Sequence, residues 1–90
     1  MLRTVFGAVL REERLAQGRT LAAVARRSGI SLPYLSEIER GRKEPSSEIL
    51  ADLCGALDLT VPDLLARSLR TVTTRAVPTA PSSVQLRLAA

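Results

Sequence analysis

Apolar residues recur at helical spacing in five short blocks, each closed by a glycine or a polar turn. In residues 4–17, Val5, Phe6, Val9, Leu10 and Leu15 fall close to one helix face, and Gly18 ends the pattern. In residues 20–28, Thr20 is placed to cap a second helix. Leu21, Val24 and Ala25 form its inward stripe and Arg26 and Arg27 its outer side. Gly29 then offers a residue free to take positive φ at the helix end, with Ile30 plugging the core from the turn. Ser31 caps a third helix over 32–40. Pro33 is tolerated there because the N–H groups of a first turn have no helical partner. Leu35 and Ile38 face inward and Gly41 closes the helix. A basic loop, Arg42-Lys43-Glu44-Pro45, leads to a fourth helix capped by Ser46 or Ser47, where Glu48 complements the helix dipole. Ile49, Leu50, Leu53, Cys54, Ala56 and Leu57 give that helix a wide apolar face. Thr60 caps a fifth over 61–69, with Pro62 in its first turn.

The pattern dissolves after about residue 70. The stretch from Thr71 to Ala90 has no acid, two prolines and many Ser, Thr and Ala, too little apolar density for a core of its own. The expected fold is all-α: a compact five-helix domain over residues 1–69 and a flexible basic tail over 70–90. The alternating VQLRL segment is able to pair as a strand, and no internal repeat is visible.

Composition narrows the function classes. The chain has 90 residues, 46% of them apolar and 24% charged, as in ordinary globular proteins. No apolar run approaches the roughly 20 residues that cross a bilayer, and the opening segment is too short and too soon charged for a secretory signal. A cytoplasmic protein with no membrane partner is expected. The single cysteine, Cys54, makes neither an internal disulfide nor a metal set, and on an apolar helix face it reads as a buried, inert thiol. Histidine is absent, which removes the commonest acid–base side chain near neutral pH. No glycine-rich phosphate loop or carboxylate pair stands out. The expectation is no enzyme, no catalytic residue, no metal and no cofactor. With Phe6 and Tyr34 the only aromatics, a stacking platform for single strands is excluded too.

Charge is unevenly spread. Residues 1–47 carry nine basic and five acidic side chains, residues 48–66 four acids and no base, and residues 67–90 four bases and no acid. Such a fold has a basic side that attracts phosphate or an acidic surface.

Two helices joined by a tight glycine-containing turn form a helix-turn-helix arrangement. The run from Arg14 to Leu65, with RTLAAVARRSGIS followed by YLSEIERGRKEPS, sharpens it. It resembles the XRE-type helix-turn-helix family of the phage repressors and Cro and, within it, the actinobacterial regulators of Clp protease genes. The resemblance covers about sixty residues. It implies a sequence-specific regulator of transcription that binds double-stranded DNA and activates Clp protease and related proteostasis genes, with RNA polymerase as a further partner. The third helix would enter the major groove N-terminus first. Base contacts are then expected at Ser31, Leu32, Pro33, Ser36, Glu37 and Arg40. Leu32 and Pro33 suit a thymine methyl, Ser36 several base edges, and Glu37 a cytosine amino group. Phosphate contacts are expected at Arg19, Thr20, Leu21, Arg42, Lys43 and Ser46. Many family members have glutamine at the start of the second helix. Leu21 stands there instead, so that clamp must come from Thr20 and backbone N–H groups. Arg14 and Glu39 match a family ion pair joining the first and third helices.

A homodimer is implied, with two recognition helices about 34 Å apart, and Leu59, Val61, Leu64, Leu65 and Leu69 are the expected interface. Pro78, Pro81 and the threonine-rich stretch argue against a long helix after the domain. The final Leu88-Ala89-Ala90 resembles the ends by which Clp proteases select substrates, which implies that Clp removes the regulator itself. With no segment left for a ligand domain, control by abundance is expected. Two other readings share these features: a DNA-binding antitoxin of a toxin–antitoxin pair, and a helical protein–protein adaptor with a non-functional DNA face.

Overall fold

The structure is a computed structural model that describes residues 2–76. Five helices follow in order: α1 Leu2–Ala16, α2 Leu21–Ser28, α3 Leu32–Glu39, α4 Ser47–Ala56 and α5 Val61–Ala76. There is no strand among the described residues.

Local chemistry fixes the helix starts. The side-chain oxygens of Thr20, Ser31 and Ser46 accept from the N–H groups of Ala23, Tyr34 and Ile49, so α2, α3 and α4 each begin at a capping hydroxyl. At α5 the cap is reciprocal. Thr60 Oγ1 accepts from Asp63 N, and Asp63 Oδ2 accepts from Thr60 N. The backbone N–H and then the hydroxyl of Thr60 hold the Asp63 carboxyl below its ordinary pKa. At the far end of α2, Gly29 takes φ 77°, and its N–H bonds the carbonyls of Ala25 and Arg26.

α5 runs seven residues beyond the expected end at 69, through Thr71 and Val72 to Ala76. Its β-branched residues have low helix propensity, but the Thr71 hydroxyl bonds the Arg67 carbonyl at 2.9 Å and Val72 joins an apolar stripe with Leu65 and Leu69. The rest of the expected tail, including VQLRL, Leu88, Ala89 and Ala90, lies outside the described residues.

One core unites the helices. Val5, Phe6, Val9 and Leu10 of α1 meet Val24 and Ala25 of α2, Leu35 and Ile38 of α3, Leu50, Leu53, Cys54 and Ala56 of α4, and Leu64 of α5. α1 packs on α3 and α5, α2 on α3 and α4, and α4 on α5. Leu15, expected on the inward face of α1, is exposed. Cys54 is buried, and burial pushes its thiol pKa up, as does the nearby Asp63 carboxylate.

Polar struts complete the frame. Arg14, itself buried, donates through Nε and Nη2 to the two oxygens of Glu39 at 2.8 and 3.0 Å, and through Nη1 to the Arg19 carbonyl at 2.9 Å. The hydrogen bond to Glu39 outweighs desolvation and raises the Arg14 pKa. On the other side of α1, Arg67 Nη1 donates to Glu13 Oε1 at 2.6 Å. Gln17 Nε2 donates to Glu13 Oε2 and to the Leu57 carbonyl, both at 2.7 Å.

Candidate nucleic-acid interface

The turn from Gly29 to Ser31 brings α2 and α3 together as a compact pair. α3 is only eight residues long. Its inward side chains, Leu35 and Ile38, are buried completely or nearly so. Its outward side carries Ser31, Leu32 and Pro33 exposed at the N-terminal end, Ser36 and Glu37 half-buried along the flank, and Arg40 exposed at the C-cap. The six expected base-contact residues therefore form one continuous face. An exposed leucine beside an exposed proline is an apolar step at the mouth of the helix, sized for a methyl group.

The loop after α3 is tied back to it. Arg42 N–H donates to the Glu37 carbonyl at 2.9 Å, and Arg42 Nη1 stands 3.9 Å from Glu37 Oε2. At that separation the guanidinium is held loosely, and both it and Lys43 are solvent-exposed. Ser46 and Thr20 are exposed capping residues at the starts of α4 and α2. Leu21 is half-buried against the core, which leaves its side chain little part in this surface.

Two expected site residues are engaged elsewhere. Arg19 turns away from solvent: Nη1 donates to the Ala56 carbonyl at 2.7 Å, and Nη2 pairs with Asp58 at 3.1 Å. Asp58 sits in the left-handed region at φ 59°, in the turn between α4 and α5. Arg19 thus staples that turn to the one before α2. Leu64, expected at a dimer interface, has 0% exposure and belongs to the monomer core. Its neighbour Leu65 and, one turn on, Leu69 remain exposed, while Leu59 and Val61 are half-buried against the core.

Sequence reasoning missed Leu2, Val72 and Ser68. With Phe6, Leu65 and Leu69 they line a groove of about 370 Å³ between α1 and α5. The Ser68 hydroxyl in its wall is buried and has no hydrogen-bond partner among the described residues. The 65, 69, 72 spacing was the available signal, hidden by the threonines around Val72. Gly7 was missed as well. A glycine inside an apolar helix face costs roughly 1 kcal/mol against alanine and calls for a packing reason. That reason is that α1 lies against the carbonyls of Ile38 and Glu39 at this position.

The helix-turn-helix family model matches residues 10–64, and the chain belongs to that family, in its XRE type. Among its relatives, the chain is similar to the transcriptional regulator ClgR of Mycobacterium tuberculosis (strain ATCC 25618 / H37Rv). The two are 59% identical over 59 residues, 66% of this chain and 53% of the relative. The chain thus spans about half the length of these curated relatives. The crystal structure of the clp gene regulator ClgR from Corynebacterium glutamicum superposes with a TM-score of 0.81 at 46% identity, over 84% of this chain and 81% of that one. The restriction-modification controller protein C.AhdI from Aeromonas hydrophila gives 0.67 at 34% identity, over 69% and 94%.

Proposed function

We propose that this chain is a sequence-specific, double-stranded DNA-binding regulator of transcription that acts as a homodimer on Clp protease genes. The observation that carries the reading is the outward face of α3. Ser31, Leu32 and Pro33 stand open at its N-terminus with Glu37 and Arg40 behind them, and two exposed cations, Arg42 and Lys43, follow in the adjoining loop. That is the arrangement major-groove reading needs: a short helix narrow enough for the groove, base-directed groups at its leading end, and positive charge where the backbone passes.

The roles divide by chemistry. Leu32 and Pro33 pack on thymine methyls. Glu37 accepts from a cytosine amino group once Arg42 leaves it for a phosphate, a change made easy by their 3.9 Å separation. Arg42, Lys43, the exposed Ser46, and Thr20 with the Leu21 N–H hold the backbone. Arg19 is left out of this, since its guanidinium is held by the Ala56 carbonyl and Asp58 within the chain. Dimerisation rests on the exposed leucines of α5, Leu65 and Leu69, next to Leu2 and Val72. The Clp gene target is supported by the similarity to the clp gene regulator of Corynebacterium glutamicum. A cytoplasmic location follows from that role, and no helix among the described residues is long and apolar enough to cross a membrane.

Fluorescence anisotropy with a clp promoter duplex and a scrambled duplex, at two salt concentrations, tests the reading. The expected result is salt-dependent binding that favours the promoter by about 10³-fold or more. Equal binding to both removes the target, and binding to neither removes the function. Arg42→Ala and Lys43→Ala are each expected to weaken both duplexes alike and to reduce the salt slope by about 1. For the terminal residues, the proposal is removal by Clp. Replacing Ala89 and Ala90 with aspartate is expected to lengthen the cellular half-life, and an unchanged half-life rejects that part.

A further inference from the structure

α3 has only eight residues to carry a reading face, and its far end lies against the backbone of α1. A Cβ built on Gly7 would lie 2.3 Å from the Ile38 carbonyl oxygen and 2.9 Å from that of Glu39. Both are main-chain atoms of the last turn of α3, so no side-chain rotation relieves the clash. The neighbouring turn is in contact as well: a Cβ on Gly41, just past α3, would lie 3.0 Å from Thr4. About two turns along α1, Arg14 grips Glu39 through two hydrogen bonds. Three points on α1 thus meet the same end of α3, and the middle one is backbone against backbone. Gly7 also lies outside residues 10–64, which the family model matches.

We propose that Gly7 is a specificity-determining positioning residue: it sets the pose of α3 against the rest of the domain, and hence which bases its leading end reaches. The inference rests on the DNA-reading function proposed above. Its magnitude follows from geometry. Ordinary van der Waals contact begins at 3.4 Å. An alanine at position 7 must therefore push the end of α3 away by about 1 Å, whereas recognition groups work within roughly 0.5 Å of their productive position. An eight-residue helix is about 12 Å long, so a shift of that size at its C-terminal end tilts it by about 5°; with the adjoining Arg42 and Lys43 anchored on phosphates, the leading end is then displaced against the bases by about 1 Å. The cations of the 42–43 loop sit on flexible side chains and absorb such a change. The short groups at Ser31, Leu32, Pro33 and Glu37 do not. Phosphate binding therefore survives the displacement while base reading is lost.

The test uses the full chain and a duplex enriched from a randomised pool by the wild-type protein. Gly7→Ala is compared with wild type and with Gly55→Ala, a helical glycine with nothing within 4 Å of its added Cβ. Anisotropy is read on the enriched and a scrambled duplex across a salt series. The expected result is that Gly7→Ala keeps its affinity and salt slope on scrambled DNA but loses at least about tenfold in preference for the enriched duplex, the value of one good base contact. Gly55→Ala keeps that preference. A folded Gly7→Ala with undiminished preference overturns the inference, as does a parallel loss on both duplexes. If the variant does not fold in plain buffer, all three proteins are measured in trimethylamine N-oxide, which strengthens burial. Failure to fold even there makes Gly7 a requirement of the core and also overturns it. Failure of the wild type to enrich any sequence instead overturns the DNA-reading proposal itself, and this inference with it.

Discussion

The two sides of α1 differ in kind. Where α1 meets α3, nothing is left over. The backbone of Gly7 lies on the carbonyls of Ile38 and Glu39, Arg14 and Glu39 satisfy each other, and hydroxyls cap the helix starts nearby. Where α1 meets α5, much is left over. Leu2, Leu65, Leu69 and Val72 are exposed, at up to 67% for Leu69, and the Ser68 hydroxyl is buried without a partner among the described residues. The first region is complete as a monomer and offers a polar, partly cationic face to solvent. The second is incomplete as a monomer and offers an apolar one. Contiguous exposed apolar surface marks a place for another protein surface, whereas a rigid polar face suits a charged, patterned ligand. α1 thus links the face proposed to meet a second copy with the face proposed to read DNA.

The sharpest way to break the closed region is to unpair its ion bridge. Arg14 and Glu39 have side-chain exposures of 9% and 5%. Removing one member strands a buried charge at a cost of about 3–5 kcal/mol. Glu39→Ala is expected to lower the midpoint of thermal unfolding, followed by circular dichroism, by about 15–30 °C for a domain of this size. The double change Arg14→Met with Glu39→Leu is expected to recover most of that loss, because apolar replacement of both partners removes the desolvation cost. A Glu39→Ala shift of only a few degrees would mean that the frame around α3 does not depend on the pair.

The open region is broken by charge. Leu69→Glu touches no core contact, so monomer stability is expected to stay within about 0.5 kcal/mol. A two-fold interface loses the leucine twice, about 3 kcal/mol or more, so self-association measured by sedimentation equilibrium is expected to weaken at least about 100-fold. Unchanged association would place the dimer contact elsewhere and leave the groove unexplained.

These two regions were not equally legible in the sequence. The closed one is legible through local signals and a distinctive motif, except for Gly7 at its centre, whose contact with α3 lies 31 residues away in sequence. Capping hydroxyls at Thr20, Ser31 and Ser46, the turn glycine at position 29 and the inward Leu35 and Ile38 all follow from short-range rules. The open region depends on contacts distant in sequence, and there the reading faltered. Within Leu59, Val61, Leu64, Leu65 and Leu69 every position is apolar, so periodicity could not say that Leu64 enters the core while Leu65 stays out. The Thr71–Ala76 turns looked unfit for a helix on propensity, which packing on α1 overrode. Arg19 illustrates the same limit: its carbonyl partner at Ala56 is 37 residues away, so a cation beside a helix start looked free when it was not.

A milder probe acts on the strut between α1 and α5. The side-chain hydrogen bond from Gln17, and then that from Arg67, hold the Glu13 carboxyl below its ordinary pKa. A depressed folded-state pKa means that the stabilisation is present above the unfolded value, about 4.3, and is lost as pH falls through the folded one. Urea midpoints are therefore expected to fall as pH is lowered below about 4. Glu13→Gln should remove part of that slope and cost about 1 kcal/mol or less at neutral pH, since the pair is partly exposed. A variant with the wild-type acid slope would assign the acid sensitivity to other carboxylates, Asp63 among them.

The smallest effect bears on the comparison most directly, because it sets one glycine against another. Gly7 and Gly55 both lie within helices, and glycine there loses backbone entropy that alanine does not. At Gly7 the added methyl collides with the backbone of α3, and at Gly55, on the exposed side of α4, it meets open space. The entropic gain is therefore unopposed at one site and overwhelmed at the other. Gly55→Ala is expected to raise the unfolding free energy by about 0.5 kcal/mol, with an unchanged urea m-value. Gly7→Ala is expected to lower it. Equal gains at both would mean that α3 yields to a bulkier α1 at no cost, and the closed region would then be no stiffer than the open one. Opposite signs from the same chemical change, made in the same type of secondary structure, would isolate the contact itself as the cause.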